Sequence, residues 1–314
     1  MKALVIGSGI IGLSTAHVLQ EHGLKVKVIS KDLPQSTTSW RAAAVWFPYK
    51  AYPLEKVLEW SRISYHYYHN YLDRPDTGVS MVSLRILESI DAAKEWLEAV
   101  PSEVKEISGT SLPKGYQEAI EFQVPLVDTS YFLPYLLTTF LINGGEFEMK
   151  ILRSVDDLDY SEHDWVINCA GLGSRQLVND EKMYPIRGQI VKVKAQPNLG
   201  WIAAEHGPLA LSYVIPRKNE VILGGTAEPG VEHCDIDPEE TKRILERCKK
   251  LAPGLNPAII KVEVGLRPGR DEVRLERDGD KIIHNYGHGG SGFTVCWGCA
   301  QEVAAIMGLA AEQI

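Results

Sequence analysis

The chain has 314 residues, with 33 Lys+Arg against 41 Asp+Glu and a formal charge of −8. At roughly 150 residues per domain, that length suggests two domains with sizeable cores. A content of 45% hydrophobic and 24% charged residues describes a globular chain, not a disordered one. An acidic balance without a basic cluster argues against nucleic acid as a partner, and no apolar run reaches the ~20 residues of a membrane span.

Residues 3–6 (ALVI) predict a short buried strand, 10–22 a helix ended by Gly23, and 24–29 (LKVKVI) an alternating second strand. Together these make a βαβ opening. Met1, Lys2 and the apolar residues after them superficially resemble a signal peptide, but three glycines interrupt the run and no small-x-small cleavage site closes it. Residues 54–72 and 91–99 read as helices, the first studded with tyrosines and Trp60. A helix over 131–143 tolerates Pro134 only in its first turn. Residues 146–152 and 165–169 read as strands, and 188–227 is strand-rich. Asp237 caps a helix with Pro238 at its first position and Glu240 placed to complete a capping box. Strands at 259–264 and 281–286 and a helix from about 293 finish the chain. There is no internal repeat. The fold expected is α/β, one domain built from both ends of the chain with a mostly antiparallel domain inserted into it.

Five cysteines (Cys169, Cys234, Cys248, Cys296 and Cys299) are too few and too scattered for a disulfide scaffold. Cys296 and Cys299 form a C-x-x-C inside an apolar helical run, where packing is the better reading than redox chemistry. Nothing supplies further zinc ligands, so no metal is expected, and a reducing, cytoplasmic location follows.

Gly7-Ser8-Gly9-Ile10-Ile11-Gly12 is G-x-G-x-x-G directly after a strand and opening a helix. The first glycine makes the tight turn, the second lets a pyrophosphate approach the backbone, and the third lets helix and strand pack closely. After the second strand, Asp32 is the carboxylate available for a ribose hydroxyl and Lys31 suits phosphate or adenine; the alternative is a pair of solvated loop charges. Thr37, Thr38 and Ser39 run into Ala42-Ala43-Ala44-Val45, small residues that allow close approach of something flat, or else a helix start. From His284 to Thr294 the chain packs four glycines between a strand and a helix. Two such junctions at opposite ends of the chain suit a long cofactor such as FAD better than NAD. Structural roles are the default for His284 and His288. Arg267 follows an apolar strand, so its planar fork emerges at a sheet end and suits a carboxylate; a surface arginine is the alternative. Tyr213 can face either core or pocket.

These segments together resemble the D-amino acid oxidase family of glycine-box flavoenzymes, which includes D-aspartate oxidase and glycine oxidase. The likeness rests on VIGSGIIGLSTA, SKDLP with the TT and AAxxWxPY cluster, VINCAG with IRGQI, SYVIP with VILGG, GLRPGRDEVRLER and HNYGHGGSGFTVCWGCA. It implies a Rossmann-like FAD-binding domain over 1–75, 145–187 and 268–314, and a substrate-binding α+β domain over 76–144 and 188–267. FAD would be bound by Gly7, Ser8, Gly9, Ile10, Ile11, Gly12, Lys31 and Asp32, with Thr37, Thr38, Ala44 and Val45 on the flavin side. Leu152 and Ala170 would meet the adenosine half, and Gly289, Gly290, Gly292, Phe293 and Thr294 would line the isoalloxazine. Arg267 would hold the substrate's α-carboxylate beside the Tyr213 hydroxyl, and the Gly290 carbonyl would accept from the amino group.

The resemblance further implies oxidative deamination of a D-amino acid by hydride transfer to flavin N5 without a catalytic base. Dioxygen is the second substrate, and the products are a 2-oxo acid, ammonia and hydrogen peroxide. D-Aspartate oxidase or glycine oxidase activity is the near alternative, with Arg41, Arg217 and His206 as candidate partners for a side-chain carboxylate. A nicotinamide-dependent dehydrogenase is the remote alternative, and it gives no reason for the C-terminal glycines. One departure stands out. Vertebrate relatives carry a second pocket tyrosine on a mobile lid where this chain has Leu209, and the segment from His206 to Tyr213 is short, so an open pocket is expected. The chain ends in AAEQI, without a peroxisomal address, which again points to the cytoplasm. Self-association into a homo-oligomer is compatible with the sequence.

Overall fold

The structure is a computed structural model that describes residues 1–48, 51–72, 74–110 and 112–309. Tyr49 of the AAxxWxPY segment and the terminal AAEQI lie outside the described residues. In chain order, the first part comprises β1 (Lys2–Ile6), α1 (Ile10–Glu21), β2 (Lys25–Ser30), α2 (Leu54–Tyr68), β3 (Val79–Ile86), α3 (Lys94–Leu97), β4 (Lys105–Ser108), β5 (Glu118–Val127), α4 (Thr129–Ile142) and β6 (Glu146–Met149). The middle comprises β7 (Trp165–Asn168), α5 (Ser174–Leu177), β8 (Tyr184–Lys194), β9 (Trp201–Ala204), β10 (Ser212–Pro216), β11 (Glu220–Gly224) and β12 (Glu228–Pro229). The chain closes with α6 (Pro238–Leu251), β13 (Ile259–Gly269), β14 (Arg274–Asp278), β15 (Ile282–Tyr286) and α7 (Gly292–Ile306).

Two sheets organise these elements. The first has six strands in the order β14-β15-β7-β1-β2-β6, parallel except for the β14–β15 hairpin. The second runs β12-β8-β11-β10-β9-β3-β5-β4, with β13 along the other side of β8, and is antiparallel apart from β3 beside β9. The first sheet thus draws on both ends of the chain and on residues between, as the sequence leads one to expect.

Strand periodicity explains the layering, because successive side chains point to opposite faces. On β1, Ala3 and Val5 join a core that continues through Leu13, Phe132 and Trp297 to Ile190, Ile215 and Ile222 of the second sheet. Leu4 and Ile6 face the other way, towards Val155 and Leu177. Val191, Val193, Val214 and Leu223 form a separate core with α6 on the outer face of the second sheet. Helix α4, which falls within 76–144, packs against α1.

Three local readings need correction. Helix α4 starts at Thr129, two residues early, because Asp128 caps it by accepting from the Ser130 N–H and hydroxyl at 3.1 and 2.7 Å. Pro134 therefore lies inside the helix and not in its first turn. The helix expected over 91–99 shrinks to Lys94–Leu97. At α6, Asp237 caps Glu239 and Glu240 as expected, but Glu240 does not reach back: its carboxylate pairs with Arg243 and Arg247. The Asp237 N–H instead donates to Gln189 Oε1 at 2.9 Å. Among the described residues no helix is long and apolar enough to cross a membrane, and no group of His, Cys, Asp or Glu could hold a metal ion.

Candidate active site

The glycine turn between β1 and α1 is shaped by close backbone approach. Gly7 has φ +114°, and a Cβ there would stand 2.5 Å from the Cys169 carbonyl oxygen; a Cβ at Gly12 would overlap the Gly7 carbonyl. Helix α1 begins with no capping side chain at Gly9 and no acid in its first turn, so its N-terminal field is left for an anion. The Ile10 N–H donates to Ser39 Oγ at 3.0 Å, which brings Ser39 to the helix mouth. In sequence Ser39 is one hydroxyl of the cluster at 37–39, with nothing to set it apart from its neighbours. Ile11 turns half-buried into the core. Ser8 donates from Oγ to the Asp32 carbonyl at 2.7 Å and lies 3.0 Å from Ser30 Oγ, tying the turn to the end of β2. Lys31 and Asp32 form an exposed ion pair at 3.8 Å beside it.

The flanking segments converge on the same edge. Thr37 bonds back to the Pro34 carbonyl, whereas Thr38 donates to the Leu266 carbonyl at 2.9 Å, next to Arg267. Ala44 takes φ +52°, and its carbonyl accepts from Val127 at 2.9 Å, while Val45 bridges to Leu126. Leu152 and Ala170 both pack on the Leu4, Ile6 and Val166 cluster of the parallel sheet. Asn168 Oδ1 accepts from the Ala170 N–H and the Ser174 hydroxyl, each at 3.1 Å, and so orients that loop.

The C-terminal glycine turn meets the N-terminal one. A Cβ at Gly292, the first residue of α7, would lie 3.5 Å from Ile10 Cγ2, so the mouths of α1 and α7 adjoin. Gly287 and Gly289 take positive φ of 88° and 53°, and the Gly289 N–H donates to the Pro268 carbonyl at 2.9 Å. That bond holds the exposed Gly290 next to the residue after Arg267. Thr294 donates to the Phe47 carbonyl at 2.8 Å and accepts from its N–H at 3.1 Å, while Phe293 is buried with its carbonyl bound by the Tyr68 hydroxyl.

Arg267, half-buried on β13, donates from Nη1 to the Thr226 carbonyl at 3.0 Å. Its guanidinium lies across Gly188 of β8. Tyr213 stands on β10 with its ring over Gly224 of β11. Burial raises the Tyr213 phenol pKa, and the Arg267 charge alongside pulls against that rise. The structure therefore brings Arg267 and Tyr213 together on one sheet face, beside the glycine turn of 287–290.

The other candidate cations are engaged elsewhere. Arg217 is buried and donates to the Ala42 and Ala43 carbonyls at 2.7 and 2.6 Å and to Thr129 Oγ1 at 3.2 Å. Its work is to hold the turn before Ala44. Arg41 donates to the Ser36 and Thr37 carbonyls, and His206 projects outward with Nδ1 3.2 Å from Glu88. Leu209 faces away from the site: it is buried in the core beneath α6, and its N–H is held by the Tyr116 hydroxyl at 3.0 Å. The cysteines of the described chain are free, and Cys296 and Cys299 are buried packing residues in α7.

A dinucleotide-binding sheet facing a second sheet that carries an Arg–Tyr pair defines the class: a two-sheet nucleotide-cofactor protein. The FAD dependent oxidoreductase model (DAO) matches residues 2–306. A D-amino-acid oxidase of Rubrobacter xylanophilus is 39% identical over 316 residues, covering 98% of this chain and 96% of the relative. A D-aspartate oxidase of Homo sapiens is 33% identical, covering 98% and 94%. Among solved structures, glycine oxidase from Bacillus cereus superposes with a TM-score of 0.81 at 20% identity, over 99% of this chain and 98% of that one. The chain belongs to the FAD dependent oxidoreductase family, and its cofactor is FAD. The α1 mouth, with no acid in its first turn and only Ser39 before it, and the adjoining α7 mouth fit a dinucleotide spanning both junctions.

Proposed function

We propose that the protein oxidises D-amino acids, with Arg267 and the Tyr213 hydroxyl holding the α-carboxylate. The single observation that carries this reading is the Arg267–Tyr213 pair beside the Pro268–Gly289 bond, which sets an anion clamp next to a bare carbonyl-bearing turn. A carboxylate leaving water needs a charged, hydrogen-bonded partner, and the guanidinium fork gives it direction as well as charge. The Gly290 carbonyl accepts from the amino group, so two fixed points orient the Cα–H bond. FAD, when bound, supplies the two-electron oxidation of the Cα–N bond and its reoxidation by dioxygen. Gly7, Ser8, Gly9, Ile10, Ile11, Gly12, Lys31 and Asp32 hold it at one end, Leu152 and Ala170 beside the adenosine. Thr37, Thr38, Ala44, Val45, Gly289, Gly290, Gly292, Phe293 and Thr294 wall the flavin. One amino acid, one dioxygen and one water give one 2-oxo acid, one ammonia and one hydrogen peroxide. Residues 1–75, 145–187 and 268–314 serve the cofactor, and 76–144 and 188–267 the substrate.

Names of relatives leave neutral and acidic D-amino acids as the choice. The structure's own charges favour neutral side chains, because Arg217 and Arg41 are committed to backbone carbonyls and His206 to Glu88. The test is peroxide formation by the FAD-loaded protein across paired D- and L-amino acids, with D-aspartate and glycine included. Turnover of neutral D-enantiomers above both their L-partners and D-aspartate is expected. Preference for L-enantiomers, or no peroxide from any amino acid, contradicts the reading.

A further inference from the structure

Each clamp side chain lies over a glycine of the strand sheet beneath it. A Cβ at Gly188 would stand 2.6 Å from Arg267 Cζ and Nη2 and would overlap Nη1. A Cβ at Gly224 would overlap the Tyr213 ring at Cζ, Cε1 and Cε2. The strand register makes this possible. Gly188 and Ile190 point to the face shared with Gly265 and Glu263 of β13, and Gly224 pairs with both Ile190 and Tyr213. Neighbouring Gln189 points to the other face, where its amide binds the Thr241 hydroxyl at 2.9 Å and the Asp237 carbonyl at 2.8 Å. Its backbone N–H donates to Thr226 Oγ1 at 2.9 Å, and the Thr226 carbonyl receives Arg267 Nη1. Strand β8 therefore fixes the guanidinium twice, by the bare floor at Gly188 and, through Thr226, by the acceptor at one edge.

We infer that Gly188 is a positioning residue for carboxylate binding: its missing side chain sets the height and tilt of the Arg267 guanidinium. This rests on the reading of Arg267 as the carboxylate clamp. A methyl group at Gly188 goes straight into the guanidinium, because the backbone there is held by its pairing to Gly265 of β13 and the nearest atoms to the new carbon all belong to Arg267. The arginine must lift away, the Nη1 bond to Thr226 is lost, and a bidentate ligand no longer meets both nitrogens. The same methyl group does nothing to a side chain that is absent. Gly188 and Arg267 should therefore be energetically coupled, which a glycine needed only for strand geometry would not be.

The experiment is a double-mutant cycle on the FAD-loaded protein with Gly188→Ala, Arg267→Ala and the pair. Calorimetric binding of benzoate, a flat monocarboxylate with no Cα–H to oxidise, is the first readout. The kcat and KM for the best D-amino acid are the second. Gly188→Ala is expected to weaken benzoate by about tenfold or more and to raise KM while lowering kcat, since a displaced clamp both binds and aims less well. In the Arg267→Ala background the further change is expected to be within twofold. Should Gly188→Ala fail to hold FAD while the double variant holds it, the clash with Arg267 is still the cause and the inference stands. Equal losses in both backgrounds, or loss of FAD in both, would show that the glycine serves the strand and would overturn it. An unaltered single variant, against a weakened Arg267→Ala, overturns the inference alone. If Arg267→Ala itself binds benzoate normally, the clamp reading fails and the inference falls with it.

Discussion

The imidazole of His288 is 2% exposed in the turn between β15 and α7, and burial drives its pKa down to about 3. Its ring therefore stays neutral in the folded protein, whereas the unfolded chain takes up a proton near pH 6.5. Between those values the unfolded state binds more protons, so stability rises with pH. The contribution is full above the unfolded pKa and is lost progressively as pH falls from about 6.5 towards 3. The slope from this one residue is at most about 1.4 kcal/mol per pH unit. Urea midpoints of the FAD-saturated protein between pH 5 and 7.5 should fall on acidification, and His288→Gln should flatten that fall. Equal slopes in the two proteins would refute the assignment. Asp180 adds to the same trend from a different cause, because its carboxyl is also held below its unfolded value and its stabilisation is also lost on acidification. Burial disfavours its charge, but the Tyr286 hydroxyl at 2.8 Å, the Lys182 N–H at 3.0 Å and Arg270 at 3.1 Å outweigh burial and hold the carboxyl below its usual range. A structural role is the sequence reading for His288, but its depth of burial and the partners of Asp180 are not legible there, since Tyr286 lies 106 positions from Asp180.

Helices α2 and α7 touch at backbone distance. A Cβ at Gly298 would stand 2.7 Å from the Trp60 carbonyl carbon and would overlap its Cα and oxygen. Ser64 Oγ accepts from the Trp297 and Gly298 N–H groups at 3.1 and 3.0 Å, pinning the crossing. Gly298→Ala overpacks this contact and should cost about 1–3 kcal/mol, lowering Tm by several degrees. Scanning calorimetry of both FAD-loaded proteins reads this, and an unchanged Tm would mean that the helices separate freely. At this scale much of the fold was legible. The βαβ opening, the Asp237 cap and the last helix follow from glycine spacing, capping chemistry and apolar period. Elements went astray where a neighbour decides. Pro134 reads as a first-turn residue until the Asp128 cap is seen to start α4 two residues sooner. Leu209 stands in sequence where lidded relatives carry a pocket tyrosine, and the turn of 207–209 carries it to the opposite face.

Across the whole molecule, the two ends of the chain close on each other where α1 meets α7, and β13 delivers Arg267 to that place. The glycine turns and Arg267 stand out in sequence because each needs a particular residue type for a backbone or charge reason, whereas Tyr213 can face core or pocket and is drawn to the site only by the family resemblance. Thr226 and Gly188 do not stand out, because their significance lies in contacts with distant strands, and Arg217 stands out in sequence as a possible carboxylate partner whereas the fold commits it to the Ala42 and Ala43 carbonyls. The central claim is that Arg267 holds the substrate carboxylate for oxidation. Losing a charged hydrogen-bond partner costs roughly 2–5 kcal/mol, so Arg267→Ala should lower kcat/KM by about 30-fold or more. Tyr213→Phe removes one hydroxyl and leaves the charge, so its loss should be smaller. The decisive measurement is steady-state peroxide production by FAD-replete wild type and Arg267→Ala on the best D-amino acid. A loss of that size with the flavin spectrum retained is the expected result, and a variant as active as wild type would contradict the account.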